Sequence, residues 1–399
     1  MSKKNPVWPY GLPAALLLMA PFDLLTSLAM DIYLPVVPTM PEKLGTSPAL
    51  IQLTLSLYMV LLGAGQIVFG PLSDRIGRRP VLLGGALLFG ATSFGLAAAT
   101  SGTVFLGLRL LQAVGASAAL VATFATVRDV YAEQPEGAVI YSLFSAMLAF
   151  VPALGPIIGA VIAYQGGWRV VFVTLGLLTL PALLNASLRW HETRPVTHAA
   201  KRLAMLPILQ SAAFWTYTLA FSAAMGSFFV FFSTAPRVLI ARVGYSELIF
   251  SLAFGTVAGI MIVTTRFAKR FVARWGIPGC AKRGMTLLLS AAALLCLGQM
   301  RSEPSFITFI MPMWVAAAGI VFTGAVAANG ALADFGDRAG TAVALYFCIE
   351  SLFVGAIGTL AVLTLNGETA WPLIAYMAVM AMTVLLALAL LQRHQGKSR

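Results

Sequence analysis

The chain has 399 residues, of which 59% are hydrophobic and only 10% are charged, and its net charge is +12. A soluble domain has about 25% charged residues, so this composition excludes a soluble globular protein and indicates a polytopic membrane protein. The three cysteines and three histidines lack the spacing of metal ligands, of a disulfide framework or of a catalytic centre. We therefore expect no metal, no cofactor and no enzymatic activity.

Membrane spans account for most of the chain. A helix needs about 20 apolar residues to cross the hydrocarbon core. Twelve segments meet this requirement, approximately 13–37, 50–72, 81–99, 103–127, 138–164, 168–189, 212–234, 246–268, 282–300, 305–333, 340–365 and 370–392. The longest gap between them is polar and basic. We predict an all-α protein with an N-terminal six-helix bundle (1–189), a cytoplasmic central loop (190–211) and a C-terminal six-helix bundle (212–399), the arrangement of transporters built from parallel repeats.

The distribution of positive charge predicts the orientation of these spans. With both termini in the cytoplasm, 20 Lys and Arg residues fall on the inner side, five fall on the outer side, and Arg109 falls inside a span. This bias agrees with the positive-inside rule. The basic excess is therefore a topology signal, and we expect no nucleic-acid partner.

The first span contains two acids, Asp23 and Asp31, and no positive charge. An ionisable side chain near the bilayer centre costs about 2.5–3.5 kcal/mol on insertion scales, so its presence indicates a function. Helical rise puts Asp31 and Arg109 at a similar depth, each about 9 Å from the outer end of its span, so that they could pair. Pairing favours a charged Asp31 and burial favours a neutral Asp23, so we expect the two acids to titrate apart.

Two structural alternatives remain open for these charges. Arg109 could extend its side chain to the outer headgroups. The three charged residues could also form a static network that holds two helices together. Glu350, near the middle of the eleventh span, is a further candidate, either as a second proton site, as a drug contact or as the neighbour of a local donor.

The junction between the second and third spans reads G-P-L-S-D-R-I-G-R-R over 70–79. Its two outer glycines, Gly70 and Gly77, are expected to permit a tight turn and a close backbone approach. This string resembles the loop signature of the major facilitator superfamily. The resemblance implies that the junction controls the conformational cycle, with gating residues Gly70, Asp74, Arg75, Gly77, Arg78 and Arg79.

Two further spans carry motifs of the same superfamily. In the fourth span, Arg109 and Gln112 share a helix face and resemble its R-x-x-Q-G-x-G motif, with Ala113 in place of the first glycine. In the fifth span, Gly155, Pro156 and Gly159 resemble the Gly-Pro motif of drug–proton antiporters. Pro156 is expected to kink this helix, and the two glycines are expected to let a second helix approach closely.

The end of the first span, D-I-Y-L-P-V-V-P from Asp31, resembles an element of the bacterial Bcr/CflA branch of drug exporters. Within this branch the chain is most similar to the chloramphenicol and florfenicol exporters, in the stretches 19–38, 51–60, 110–118, 121–132, 226–240 and 369–376. The resemblance implies a twelve-helix major facilitator fold and alternating access. The intramembrane charges and these motifs together give six candidate residues for proton coupling or substrate binding, Asp23, Asp31, Tyr33, Arg109, Gln112 and Glu350, of which Glu350 rests on its position in the span alone.

The resemblance further implies a monomer in the bacterial inner membrane that exchanges protons for an amphenicol drug, with the proton motive force as its energy source and no cofactor. A multidrug exporter of broader range and a proton-coupled nutrient importer on the same fold remain as alternatives. A membrane-bound enzyme would need clustered catalytic side chains at one membrane face, and the sequence has none. A channel is not indicated by two halves of six spans with a junction like 70–79.

Overall fold

The structure is a computed structural model, and it describes residues 8–131, 135–194, 205–301, 303–335 and 339–397. The described chain is almost entirely helical, which confirms the predicted all-α class. It divides into two compact units, Met1–Lys201 and Arg202–Arg399.

The first unit is a bundle of long helices around α1. Its helices are α1 (Leu12–Asp31), α2 (Met40–Lys43), α3 (Pro48–Ile76), α4 (Arg78–Ala98), α5 (Gly102–Tyr131), α6 (Pro135–Gly166) and α7 (Trp168–Arg189). Helix α1 packs against α5, α6 and α7, while α4 packs against α5 and α7. Helix α1 therefore packs against α5 and α6, which carry two of the sequence motifs.

The second unit is also a bundle of long helices. Its helices are α8 (Leu206–Leu209), α9 (Ala212–Pro236), α10 (Glu247–Arg301), α11 (Met311–Leu332), α12 (Ala339–Thr364) and α13 (Trp371–Lys397). Helix α9 packs against α11, α12 and α13, and α10 packs along α11. Helix α10 is two helical arms joined at Gly276, whose backbone is not helical (φ 63°, ψ −179°).

The predicted spans correspond to long apolar helices. Ten helices in the described part of the chain are long and apolar enough to cross a membrane, and α10 alone covers the predicted spans 246–268 and 282–300 apart from Ser246. The total of twelve spans, the boundaries of the two bundles and the cytoplasmic termini stay predictions. Residues 195–204 of the predicted central loop, and the chain ends 1–7 and 398–399, lie outside the described residues.

The predicted first span, 13–37, lies within one apolar segment, Leu12–Lys43, but this segment is not a single continuous α-helix. Helix α1 ends at Asp31, and the chain continues as the 3-10 helix Leu34–Thr39. Pro35 and Pro38 explain the change, because proline has no backbone N–H and restricts the residue before it. Asp31 is therefore the last residue of α1.

Large apolar side chains are exposed along the long helices. Leu17 is 71% exposed on α1 and Leu188 is 74% exposed on α7, whereas the charged side chains of Asp23 and Arg109 are buried. A chain in a bilayer shows this distribution because apolar groups can face lipid and polar groups must find partners inside the bundle.

Candidate functional site

The two acids of α1 are both buried inside the first unit. Asp23 is 5% exposed and Asp31 is 6% exposed. The Oδ2 atom of Asp23 has no hydrogen-bond partner among the described residues. A carboxylate that is buried without a partner is costly, and this is the property expected of a group that takes up and releases a proton.

Arg109 of α5 is fully buried between two aromatic rings. Its Cζ atom lies 4.6 Å from the ring centroid of Tyr33 and 4.4 Å from that of Tyr58. Its Nη1 donates to the carbonyl oxygen of Ala29 at 3.1 Å and to Oε1 of Gln112 at 2.6 Å. The positive charge is thus stabilised by ring faces and by neutral oxygen atoms.

Hydrogen bonds hold the two rings in place. The Tyr33 hydroxyl bonds with Oγ1 of Thr54 at 2.9 Å, and the Tyr58 hydroxyl donates to the carbonyl oxygen of Thr26 at 3.3 Å. Both rings are fully buried. Helices α1 and α3 and the turn after α1 therefore fix the site in which the guanidinium lies.

Gln112 connects Arg109 to a third helix. Its Nε2 donates to Oγ of Ser93 in α4 at 2.8 Å, while its Oε1 accepts from Arg109. A continuous set of hydrogen bonds therefore runs from Ser93 through Gln112 and Arg109 to Ala29 in α1. Gln112 acts as a linker whose two ends have opposite hydrogen-bonding roles.

The expected pair between Asp31 and Arg109 is not formed, since no ion pair involves either residue in the described part of the chain. The alternative that Arg109 extends its side chain to the outer headgroups is also excluded, because Arg109 has no exposed surface. Two nitrogen atoms of the guanidinium, Nε and Nη2, have no hydrogen-bond partner among the described residues. Arg109 is therefore a buried cation whose guanidinium is only partly hydrogen-bonded among the described residues.

The Gly-Pro motif of α6 packs directly against the end of α1. A Cβ atom added to Gly155 would lie 2.7 Å from Cβ of Asp31, and one added to Gly159 would lie 1.7 Å from the carbonyl oxygen of Ile32. Only glycine permits so close an approach of two helices. Gly155 and Gly159 thus position the segment that carries Asp31, and Pro156 is buried between them.

At the junction of α3 and α4, the buried cation is Arg78, which is 2% exposed. Its Nη1 lies 2.5 Å from Oδ1 of Asp74 and donates to Oγ of Ser73 at 2.7 Å. Its Nε donates to Oδ2 of Asp129, at the end of α5, at 2.8 Å. Two carboxylates on different helices therefore share one guanidinium, so the junction is tied to α5.

Glu192 is a residue of this junction that the sequence analysis missed. Its carboxylate accepts the backbone N–H of Arg78 at 2.8 Å and that of Arg79 at 3.2 Å, at the start of α4. Glu192 can lie this close to the start of α4 only because residue 77 is glycine, since an added Cβ there would lie 2.3 Å from Oε2 of Glu192. A signal was present, since Glu192 is the sole acid in the basic segment 190–211.

Three other junction residues differ in their roles. Arg79 donates from Nη2 to the carbonyl oxygen of Ser187 at 2.7 Å, and the carbonyl of Arg75 accepts from Arg194. The expectation of a turn at Gly70 was wrong: Gly70 lies within α3 and no atom lies within 4 Å of an added Cβ. Gly77 makes the turn, with φ at +109°.

Glu350 forms a separate buried site in the second unit. It is 7% exposed, and its Oε2 accepts from Oγ of Ser351 at 3.1 Å. The local donor is therefore Ser351, and a role of Glu350 in transport stays a prediction.

The family profile of the Major Facilitator Superfamily matches residues 22–359 of the chain. The chain belongs to this superfamily. It is therefore a transporter and not an enzyme, and it is a multi-pass membrane protein of the bacterial inner membrane.

Similar proteins agree with this assignment. A chloramphenicol resistance protein of Pseudomonas aeruginosa is 49% identical over 99% of this chain and 94% of its own. The multidrug resistance protein MdtL of Escherichia coli is 27% identical over 80% of this chain and 81% of its own. A crystal structure of a peptide transporter in complex with sulfate has a TM-score of 0.78 at 13% identity and covers 100% of this chain and 99% of its own, which shows a shared fold alone.

Proposed function

We propose that this chain exports amphenicol antibiotics such as chloramphenicol and florfenicol, in exchange for protons, by alternating access. The observation that supports amphenicols as the substrate is the 49% identity over nearly the whole chain to a protein named for chloramphenicol resistance. The observations that support proton coupling are the burial of two acids of α1, Asp23 and Asp31, and of Arg109 in the same unit, with unpaired polar atoms on Asp23 and Arg109 among the described residues. The protein works as a monomer in this proposal.

The site offers a physical route for coupling. A protonated Asp23 or Asp31 carries no charge and is stable in an apolar bundle, while its charged form needs a partner. Arg109 provides such a partner, because two of its nitrogen atoms are free of hydrogen bonds to described residues. Arg109 and the proton then compete for the carboxylate, and this competition links proton release to a rearrangement of α1 against α5.

The test is efflux of chloramphenicol and florfenicol from energised cells or inside-out vesicles, with and without a proton gradient. The proposal expects concentrative drug transport that stops when an uncoupler collapses the gradient. Transport that requires ATP, or accumulation of the drug inside intact cells, would contradict it.

A multidrug exporter of broader range is the second candidate. It is favoured by the similarity to MdtL proteins, which are named for multidrug resistance. Parallel assays with unrelated cationic dyes and with phenicols distinguish the two. Resistance confined to phenicols supports the narrower proposal, and equal resistance to both groups supports the broader one.

A further inference from the structure

The bend of α10 is a second copy of the junction between α3 and α4. Both bends occur at a glycine with positive φ, +109° at Gly77 and +63° at Gly276, and both glycines follow an arginine by two residues, at 75 and at 274. Eight residues after each bend, a glycine touches a neighbouring backbone. An added Cβ at Gly85 would lie 2.7 Å from the carbonyl oxygen of Gly115, and one at Gly284 would lie 2.8 Å from that of Gly319.

The two copies differ in how their positive charge is balanced. In the first copy, Arg78 is held by the carboxylates of Asp74 and Asp129. In the second copy, Ala273 and Ile277 stand at the positions of Asp74 and Arg78 relative to the glycine. The chain from 248 to 302 contains seven Lys and Arg residues and no Asp or Glu. The second bend thus keeps the backbone geometry, while its own segment, 248–302, supplies no acid in the place of Asp74.

Six of these cations surround the bend and are exposed: Arg266, Lys269, Arg270, Arg274, Lys282 and Arg283. None of them forms an ion pair with a carboxylate in the part of the chain that the structure describes. They are close in sequence to two apolar arms of a membrane-spanning helix, so they lie where the hydrocarbon of the bilayer meets its headgroups. We call these six residues the basic face of α10.

Aromatic side chains give the basic face a rigid support. Trp275 stacks on Phe271 with ring centroids 4.9 Å apart, and Phe271 contacts Phe322 of α11 at 4.8 Å. Arg283 lies over the ring of Trp275, with its Cζ 4.4 Å from the ring centroid, and donates to the carbonyl oxygen of Gly279 at 3.2 Å. Topology requires only that cations lie on this side of the membrane; it does not require a cation to be fixed on an aromatic ring.

An apolar groove adjoins the basic face. It is lined by Ala268, Lys269, Val272 and Ala273 of α10 and by Ala325 of α11. Four of its five lining side chains are apolar, and three of them are alanines, which suits the groove to a hydrocarbon chain, while the ammonium group of Lys269 is suited to a phosphate. A headgroup and an acyl chain could therefore be bound at adjacent sites.

We propose that the basic face of α10 and its groove bind an anionic phospholipid, with the lipid phosphate on the cations and one acyl chain in the groove. The lipid supplies the negative charge that Asp74 supplies in the first copy of the bend, where Ala273 stands in the second. Basic pockets on the cytoplasmic side of membrane helices bind anionic headgroups in this way. The proposal goes beyond drug transport and does not depend on it.

Native mass spectrometry of the full-length protein in mild detergent tests the proposal. Phosphatidylglycerol and phosphatidylcholine with the same acyl chains serve as probes, and glycerol phosphate serves as the soluble headgroup. Wild type should bind phosphatidylglycerol at least tenfold more tightly than phosphatidylcholine. Each surface cation contributes about 1 kcal/mol against an anionic lipid surface, so Lys269→Gln with Arg274→Gln should weaken phosphatidylglycerol binding by roughly 30-fold.

The control is Arg189→Gln with Arg393→Gln, which removes the same charge from exposed positions elsewhere and should change binding less than twofold. Ala325→Leu fills the groove and should weaken binding of the whole lipid. Equal losses in the two double variants would mean diffuse attraction and would overturn the proposal. Glycerol phosphate that binds as tightly as the lipid, or an absence of preference for phosphatidylglycerol, would overturn it as well.

Discussion

Arg109 is a buried cation whose charge is balanced without a carboxylate. The rings of Tyr33 and Tyr58 lie on it at 4.6 and 4.4 Å, and two neutral oxygens accept from its Nη1. The planar guanidinium fits between two rings and still donates at its edge, whereas a lysine ammonium is a compact charge without this geometry. The site therefore requires arginine and not merely a positive charge.

We expect Arg109→Ala and Arg109→Lys to reduce chloramphenicol and florfenicol resistance to the level of cells without the protein. Minimum inhibitory concentrations in a susceptible host measure the effect, and immunoblots of membranes check insertion. Arg301→Ala, at an exposed position at the end of α10, is the control and should keep full resistance. Full resistance of Arg109→Ala at normal abundance would remove Arg109 from the mechanism.

The ring of Tyr58 should matter more than its hydroxyl. A desolvated cation–π contact contributes about 2 kcal/mol, and the hydroxyl makes one long hydrogen bond of 3.3 Å to the carbonyl of Thr26. Tyr58→Phe should retain most resistance, while Tyr58→Leu should lose it and lower the thermal unfolding temperature in detergent. Equal losses in both variants would mean that the hydroxyl, and not the ring face, is required.

Asp23 is the acid of α1 whose Oδ2 atom has no partner among the described residues. Asp23→Asn keeps the size and polarity of the side chain but removes the proton that it could carry. We expect resistance to be abolished while the protein inserts normally, and drug binding to the purified protein to persist without its pH dependence. Resistance equal to wild type would exclude Asp23 as a coupling group.

At the scale of helices, α1 and α6 can pack closely because Gly155 and Gly159 of α6 have no side chains. A methyl group at Gly159 would overlap the carbonyl of Ile32, at 1.7 Å, so the helices must separate. Overpacking of this kind costs about 1–3 kcal/mol. Because the same segment carries Asp31, separation should disturb the site as well as the bundle.

Gly159→Ala should therefore abolish resistance and lower the unfolding temperature. Gly84→Ala is the matched control, since Gly84 is also helical but has no atom within 4 Å of an added Cβ. It should be neutral or slightly stabilising, because alanine is favoured over glycine in a helix by about 0.5–1 kcal/mol. If both variants behave alike, the close approach at Gly159 has no role.

The junction of α3 and α4 is a set of charges held within one unit. Asp74 contacts Arg78, which also binds Asp129, and Glu192 binds the start of α4. These groups are distinct from the buried site around Arg109. Their expected role is thus in conformational exchange and not in drug recognition.

Asp74→Asn should slow transport by tenfold or more while changing the drug dissociation constant less than twofold. Transport rates in proteoliposomes and drug binding to purified protein give the two values. Glu42→Gln, at an exposed acid of α2, is a control for charge removal. A loss of drug affinity in proportion to the loss of transport would contradict the gating role.

At the scale of the whole molecule, proton exchange for a neutral drug moves charge. Phenicols carry no charge, so exchange of one drug for one proton should respond to membrane potential as well as to pH. Each 100 mV contributes about 2.3 kcal/mol per charge, which corresponds to a drug gradient of roughly fiftyfold. A pH difference of one unit contributes about 1.36 kcal/mol.

Proteoliposomes with equal pH on both sides and an imposed potassium diffusion potential provide the measurement. A potential that drives protons in the coupling direction should drive drug the opposite way, and reversal of the potential should reverse the flux. Indifference to both potential and pH gradient would exclude proton coupling of this kind.

Much of the fold was predictable from the sequence because a membrane restricts the backbone conformations that a spanning segment can adopt. Long apolar segments must be helical to satisfy their backbone groups, so composition and spacing indicated the helices directly. Isolated ionisable residues in such segments were easy to recognise because they are costly in a bilayer. Asp23, Asp31 and Arg109 are buried in the structure. The boundaries between helices were less certain, since α1 ends at the proline-containing turn after Asp31.

The partners of these charges were decided only by the tertiary structure. Helical rise gives the depth of a residue along its helix, and this made a pair between Asp31 and Arg109 plausible. Which side of each helix faces its neighbour depends on packing across the bundle, and packing directs Arg109 to the carbonyl of Ala29 and to the rings of Tyr33 and Tyr58. Similarly, Glu192 binds α4 from over 110 residues away, because the folded chain brings the end of α7 to the start of α4, a proximity that no local pattern encodes.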